Sequence, residues 1–278
     1  MPPIADFDLP AFIRATLAED LGAGGDMTSI AVIPAAARLT AVLASRDSVV
    51  VAGIDIAAAF FRTLDPAAEI DMLVADGSAV TAGTALLRIA GNARALLAAE
   101  RSALNTAQHL TGIATLTRAY VEAIVGTGAV LLDTRKTLPG LRALEKYATR
   151  LGGATNHRLR LDDGVMIKDN HIAAAGGMTP AVQAAKRAGL HGIVVEVDRI
   201  DQIEPALVAG ADRLLLDNMP PPVLREAVAL IAGRVPTEAS GGVRLDTIRA
   251  IAETGVTYIS VGRITQSAPA ADIGMDYA

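Results

Sequence analysis

Cysteine and tryptophan are absent from this 278-residue chain. Without a thiol, disulfides, thiolate nucleophiles and Cys-ligated zinc are excluded together. The four histidines show no HExxH spacing, which excludes a zincin-type site. Aromatic residues are only 3% of the chain, so the core has to be built from Ala, Val, Leu and Ile. The same scarcity removes the stacking platforms on which single-stranded nucleic acid is bound. Positive charge is in deficit too: the net charge of −5 argues against nucleic acid or an anionic membrane as partner, though not against a local basic pocket. No apolar run is long enough to span a bilayer. The N-terminal MPPIADFDLPAFIRATLAED lacks a basic segment followed by an apolar one, so no signal peptide is read and a cytoplasmic protein is expected.

What is present suits a globular protein with a sizeable core. Hydrophobic residues make up 51% of the chain and charged residues 20%, which argues against disorder. The length predicts one large α/β domain with a smaller partner. Residues 6–21 read as a short amphipathic helix that Gly22 to Gly25 end. Between about 37 and 92 short β-rich runs follow: Leu39–Leu43, Val49–Ala52, Ile70–Val74 and Ala85–Ile89, with a turn at Asp76-Gly77. The stretch DGSAVTAGTALLRIAG is like a biotinyl or lipoyl carrier hairpin, but no Lys stands at its tip, so a small β-sandwich lobe is the reading kept. A long helical region spans about 93–125. Leu97, Leu104 and Ala107 form its apolar stripe, with Arg101, Asn105 and Gln108 on another face.

A regular alternation comes next. The apolar runs AVLLDT, GVMIKD, GIVVEV, RLLLDN, VPTEAS and YISVGR are each followed by a helical pattern. Thr179-Pro180 reads as an N-cap with Pro at N1, and Asp201 with Glu204 as a capping box. Repeated βα units with apolar strands predict a parallel sheet covered on both faces. Six units without a reversal predict an open, TIM-like parallel α/β barrel of about six to seven strands. A flat doubly wound sheet is the alternative arrangement of the same units. The expected domains are 1–113, joined by the tail 269–278, and 114–268.

The strand ends carry the chemistry. The runs finish on Asp133-Thr134-Arg135-Lys136, Lys168-Asp169, Glu196 with Asp198, Asp217-Asn218, Glu238-Ala239-Ser240-Gly241-Gly242 and Gly262-Arg263. In βα barrels such ends converge on one mouth, where the active site lies. Arg135, Lys136 and Lys168, with Arg158 on the intervening GGATNHRLR, would make an anion-binding cup in an acidic protein. Glu196 and Asp217 across from them suit Mg²⁺ or a ribose diol. Ser240-Gly241-Gly242, ahead of a helix expected around Leu245–Thr254, suits phosphate, and Gly262 would serve the same cup.

Plainer readings exist for several of these residues. Arg135 and Lys136 could pair with Asp133 and Glu145 as surface charges. His157 could be a satisfied structural histidine, and His171 a loop brace. Arg142, Lys146 and Arg150 fall at helical spacing and read as a solvated face. Leu161-Asp162-Asp163-Gly164 is like the acidic start of a type I phosphoribosyl pyrophosphate loop without its small continuation. Gly126-Thr127-Gly128 lacks the third glycine of a dinucleotide fingerprint.

The segment DTRKTLPGLRALEKYATRLGGATNHRLRLDDGVMIKDNHI (133–172) resembles the signature of the quinolinate phosphoribosyltransferases. So do EDLGAGGDMTS (19–29), ERSALNTAQHLTGIATLT (100–117), VVEVD (194–198), LLLDN (214–218), EASGG (238–242) and VGRITQS (261–267). The resemblance covers almost the whole chain. It implies a type II phosphoribosyltransferase: an α/β-sandwich lobe beside an open α/β barrel, assembled as a homodimer or hexamer. The implied reaction joins quinolinate to phosphoribosyl pyrophosphate with loss of carbon dioxide, in NAD biosynthesis. Carried over residue by residue, it implies catalytic roles for Lys136, Lys168, Glu196 and Asp217. Arg135, His157 and Arg158 would grip the quinolinate carboxylates, and Lys136 and Lys168 would face phosphate, pyrophosphate or carboxylate. Glu196 and Asp217 would hold ribose hydroxyls and Mg²⁺. Ser240, Gly241, Gly242, Val261, Gly262 and Arg263, with Thr134, would complete the substrate contacts. Arg101 would reach in from the partner subunit. The chain departs from the family pattern at Gln266, where His is frequent, and at Arg263, where a smaller residue is common. The other readings of the same residues are a related-fold molybdenum-operon protein, a Schiff-base aldolase using Lys168, a non-enzymatic anion-binding module, and a transferase specific for nicotinate.

Overall fold

The structure, a computed structural model, describes residues 7–277. Among these the helices are α1 (Leu9–Leu21), α2 (Met27–Val32), α3 (Ile54–Leu64), α4 (Ala93–Ala123), α5 (Arg142–Gly152), α6 (Asp169–Ala174), α7 (Met178–Arg187), α8 (Ile203–Ala209), α9 (Pro221–Ile231), α10 (Ile248–Ala252) and α11 (Arg263–Gln266). The strands are β1 (Arg38–Ser45), β2 (Val49–Val50), β3 (Glu69–Met72), β4 (Ala79–Val80), β5 (Ala85–Asn92), β6 (Val130–Leu132), β7 (Met166–Ile167), β8 (Val194–Val197), β9 (Arg213–Asp217), β10 (Thr237–Ser240), β11 (Tyr258–Ser260) and β12 (Ile273–Tyr277). The chain divides into two units. Of the described residues, one holds those up to Leu116, Ala143–Gly152 and those from Ala268 onward; the other holds Thr117–Arg142 and Gly153–Ser267.

The first unit is built on an antiparallel sheet ordered β12-β1-β5-β3, with β2 paired to β4 beside it. The start of α1 is set by Asp8, whose carboxylate accepts from the Ala11 N–H at 2.9 Å, and Gly22 at φ 54° ends it. The expected beginning of this helix at Asp6 lies outside the described residues. α3 supplies Phe60 and Phe61, both fully buried, and its N-terminus is capped from a distant loop, because Asp76 accepts from the N–H groups of Gly53 and Ile54.

Helix α4 buries Leu96, Ala99, Ala103, Ala107, Leu110, Ile113 and Ala114. Leu104 and Ala107 of the expected stripe are buried, whereas Leu96 takes the place of Leu97, which is half-buried, a distinction that periodicity cannot resolve on a helix rich in alanine. Arg101 and Asn105 are exposed, but Gln108 is structural: its side chain donates to the Ile273 carbonyl at 2.8 Å and its own carbonyl accepts from Ala271. These bonds dock the C-terminal segment on α4 beside Gly112, where a Cβ would lie 2.0 Å from the Pro269 oxygen, so only glycine fits there.

Helix α5 overturns the expected solvated face. Lys146 and Glu145 are both buried, and Glu145 lies 2.9 Å from His109 Nε2; of the three basic residues only Arg150 is exposed. A charge can be buried where a partner from elsewhere in the chain meets it, and helical spacing does not show that partner. This helix groups with the first unit.

The second unit is a six-stranded parallel sheet ordered β6-β11-β10-β9-β8-β7. Thr155 bridges in parallel to Leu132, adding a short seventh position beyond β6. The circular order is thus complete except between the Thr155 segment and β7, where no pairing occurs among the described residues: the barrel is open at that seam. The strand interiors are apolar, as in β9, where Leu214, Leu215 and Leu216 are all buried. Two expected caps differ. Gly177 is the N-cap of α7, so Thr179 and Pro180 sit inside the first turn. Ahead of α8 a short 3-10 turn (Ile200–Gln202) is capped by Gln202, which accepts from the N–H groups of Asp198 and Arg199, while Asp201 pairs with Arg199.

Candidate active site

The C-terminal ends of the parallel strands surround one cavity of about 710 Å³, within the range of small-molecule sites. Thr134, Arg135, Lys136, His157, Arg158, Lys168, Glu196, Asp217, Ser240, Gly241, Gly242, Val261, Gly262, Arg263 and Gln266 all line it. The residues expected from the strand ends are therefore brought together. Arg101 does not line this cavity; it lies exposed on α4.

Each side chain is placed by a local device. After β6, the Lys136 N–H donates to Thr134 Oγ1 at 3.0 Å, and Thr265 Oγ1 donates to the Lys136 carbonyl at 2.6 Å. Gly262 lies under the Lys136 stem, where a Cβ would come within 2.8 Å of the Lys136 Cδ. At the end of β7, the Lys168 ammonium lies 2.5 Å from Glu196 on β8, and the Lys168 N–H donates to His171 Nδ1 at 3.0 Å. Asp217, ending β9, accepts from Asn218 Nδ2 at 2.6 Å.

The Ser240-Gly241-Gly242 turn follows β10, but not as the N-terminus of a helix. Helix α10 starts only at Ile248, because Arg244–Thr247 folds into its own turn: Thr247 Oγ1 accepts from the Arg244 N–H, and Arg244 pairs with Asp246. Gly241 has φ 91° and Gly242 φ 60°. At Gly241 a Cβ would also lie 2.1 Å from Asn218 Oδ1 and 2.8 Å from the Asn218 backbone nitrogen. Gly241→Ala is expected to cost about 2 kcal/mol or more, from left-handed strain plus a clash with main chain. Urea unfolding checks this, and a variant as stable as the parent would remove the constraint.

The seam between Thr155 and β7 carries His157 and Arg158. Asp133, wholly buried, accepts from the His157 backbone N–H at 2.8 Å and from Asn156 Nδ2 at 2.5 Å. Arg158 donates to the Gly164 carbonyl at 3.0 Å. Asp163, in the stretch first compared with a phosphoribosyl pyrophosphate loop, accepts from the N–H groups of Leu159 and Arg160 and so shapes this loop. Arg142, at the start of α5, donates to Thr137 Oγ1 at 3.1 Å and to the Leu159 carbonyl at 3.3 Å, tying the two cationic loops together.

Electrostatically the cavity is unbalanced. Six cations line it (Arg135, Lys136, Arg158, Lys168, Arg244 and Arg263) against three carboxylates (Glu196, Asp217 and Glu238). Among the described residues Arg135, Lys136 and Arg263 form no ion pair, so pairing of Arg135 and Lys136 with Asp133 and Glu145 is ruled out; both of those acids are buried. Burial and the charge of Arg135 pull the Arg158 guanidinium below its ordinary value, against the opposing effect of Asp163.

Glu238 is the group that strand-end reasoning undervalued. It is fully buried, 3.2 Å from the Arg213 guanidinium and 3.4 Å from His157 Nε2. Burial pushes its carboxyl up, but His157, Ser260 and Arg213 outweigh this and hold it below the ordinary glutamate value. A charge inside a four-residue strand between buried Thr237 and Ala239 was the sequence signal available. A lowered folded-state value adds stability above the ordinary carboxylate range, and that stability is lost as pH falls through the folded value. Glu238→Gln should therefore flatten the acid limb of a urea-midpoint profile against pH; an unchanged limb would show that Glu238 does not govern it.

Comparison with known proteins adds to this geometry. Residues 26–111 match the model of the quinolinate phosphoribosyl transferase N-terminal domain, and residues 113–276 that of its C-terminal domain. The nicotinate-nucleotide pyrophosphorylase [carboxylating] of Mycobacterium leprae is 43% identical, over 95% of this chain and 95% of its own. Solved nicotinate-nucleotide pyrophosphorylases are similar throughout. The one from Francisella tularensis has a TM-score of 0.93 at 38% identity, with both chains fully covered. The one from Ehrlichia chaffeensis has 0.94 at 38%, covering 98% of this chain and all of that one.

Proposed function

This chain belongs to the quinolinate phosphoribosyltransferase family, and we propose that its cationic cup transfers phosphoribosyl from phosphoribosyl pyrophosphate to quinolinate. The products are nicotinate mononucleotide, pyrophosphate and carbon dioxide, in the de novo synthesis of NAD. The observation that carries this reading is the uncompensated positive charge of Arg135, Lys136 and Arg263 in one cavity of an acidic protein. A dicarboxylate and a phosphorylated sugar diphosphate supply the missing negative charge.

Arg135 and Arg158 suit the quinolinate carboxylates, because a guanidinium binds a carboxylate with two parallel donors. Lys136 and Lys168 suit phosphate and pyrophosphate as point charges. Ser240, Gly241, Gly242 and the backbone of Val261 and Gly262 form the 5′-phosphate end of the cup. The cup holds the pyridine nitrogen against the ribose carbon from which pyrophosphate departs, so positioning and charge stabilisation do most of the work. Loss of the neighbouring carboxylate then leaves electrons that the positively charged ring nitrogen accommodates. No strong base is required.

Glu196 and Asp217 are the residues that would hold Mg²⁺. Among the described residues no three acidic or histidine side chains gather into a cage. Two carboxylates fit a cation that keeps its waters and arrives on the diphosphate. When bound, it neutralises charge on the departing pyrophosphate. Arg101, exposed and without an ion pair among the described residues, is proposed to complete the cup of the partner in a homodimer or hexamer. Among the described residues no helix is long and apolar enough to cross a membrane; the cytoplasm is the compartment proposed.

The test is to supply purified protein with quinolinate, phosphoribosyl pyrophosphate and Mg²⁺ and to follow nicotinate mononucleotide and carbon dioxide together. Equimolar products from quinolinate and none from nicotinate are expected. Product from nicotinate without carbon dioxide would replace quinolinate as the substrate, and no product from either acid would overturn the reading.

A further inference from the structure

We infer that buried Glu238 is a positioning residue, acting through the His157 ring to hold Arg158 for the carboxylates of the acceptor; this rests on the function proposed above.

His157 is held from three directions. Its backbone N–H donates to buried Asp133 at 2.8 Å. Its ring Nδ1 accepts the backbone N–H of Arg158 at 2.7 Å. Its ring Nε2, shielded from solvent, lies 3.4 Å from Glu238 Oε2, an ion-pair distance longer than a hydrogen bond. An Nδ1 that accepts leaves the proton of the neutral ring on Nε2, where it faces the carboxylate. The ring therefore links a buried anion to the backbone of the adjacent arginine. Arg158 is fixed at its other end by the Gly164 carbonyl, and Gly164 packs under its stem, where a Cβ would stand 3.1 Å from the Arg158 Cβ.

This contact places His157, which itself lines the cavity, together with Arg158. It also accounts for a buried acid at the floor of a site made for anions. Glu238 is faced by His157 from the seam loop, Arg213 from β9 and Ser260 from β11. Ion pairing with Arg213 alone would need no contact with the ring. A second carboxylate, Asp133, meets the same residue from β6, so the His157-Arg158 pair is clamped where the barrel wall has no strand of its own. Partners behind a functional histidine commonly set its tautomer and orientation in this way.

The test uses the full-length protein with ¹⁵N-labelled histidine. The chain has four histidines, so the His157 signals are assigned from a His157→Gln variant. At mildly alkaline pH, long-range ¹H–¹⁵N correlation is expected to show a bare Nδ1 and a protonated Nε2. Glu238→Gln is expected to shift the His157 ring ¹⁵N resonances and to raise KM for quinolinate about tenfold, with KM for phosphoribosyl pyrophosphate changing less than about twofold. A proton on Nδ1 in the wild type would overturn the inference. So would a Glu238→Gln variant whose spectrum and quinolinate KM match the parent. If that variant does not fold, Glu238→Asp takes its place, and a spectrum and quinolinate KM that match the parent overturn the inference in the same way. A wild type with this tautomer but no turnover of quinolinate would sink the functional reading and leave the assignment of the ring standing.

Discussion

Lys136→Ala is expected to lower kcat/KM by about a hundredfold or more while the protein stays folded, because the change deletes a positioned charge from an electrostatic site. The folding half of this expectation rests on exposure: Lys136 is solvent-accessible, forms no ion pair among the described residues, and so stabilises nothing that the substitution would remove. The catalytic half rests on how much structure holds it in place. Thr134 accepts its N–H, Thr265 donates to its carbonyl, and Gly262 makes room for its stem. A surface lysine with no task needs none of these. The measurement is steady-state kinetics with a circular-dichroism melt on the same sample. Wild-type turnover from a folded variant would remove Lys136 from the mechanism.

Mixing two dead variants should restore activity. Arg101→Ala and Lys136→Ala are each expected to be nearly inactive. Arg101 does not line the cavity that holds Lys136, and its exposed position on α4 can lose a side chain without opening the core. If it completes the site of a partner, a mixed pair carries one intact site and one doubly defective site. Half of randomly reassembled dimers are mixed, so about a quarter of wild-type activity should return. Recovery near zero would mean that Arg101 does not act in trans. Full activity of Arg101→Ala alone would mean that it does not act at all.

Much of the site was visible in one dimension. Apolar runs too short and too dry to tolerate charge ended repeatedly on Arg, Lys, Asp or Gly, and strand ends of a βα barrel share one mouth. That is why fifteen positions read from linear order and family resemblance line a single cavity. What linear order lacked were the supports behind them. Asp133 read as a surface partner for its neighbours, yet it is buried and turned toward Asn156 and His157, more than twenty residues away. Arg142 read as solvated, yet it ties two loops. Neither has a local signature, because a buried polar group is defined by the partner that satisfies it.

The amino-acid order alone was enough to determine that this is a βα protein with a parallel sheet, that its charged strand ends gather at one cavity, and that its family is the quinolinate phosphoribosyltransferases. Strand and helix periodicity, turn chemistry and long motifs are local properties, and they survive without coordinates. Folding decided the rest. It put the open seam of the barrel between Thr155 and β7, delayed α10 to Ile248, and buried Glu145 and Lys146 on a helix whose spacing suggested water. It also set Glu238 beneath His157. Each of these depends on a contact between residues far apart in the chain, and the energy of such a contact exists only once both partners have left the solvent.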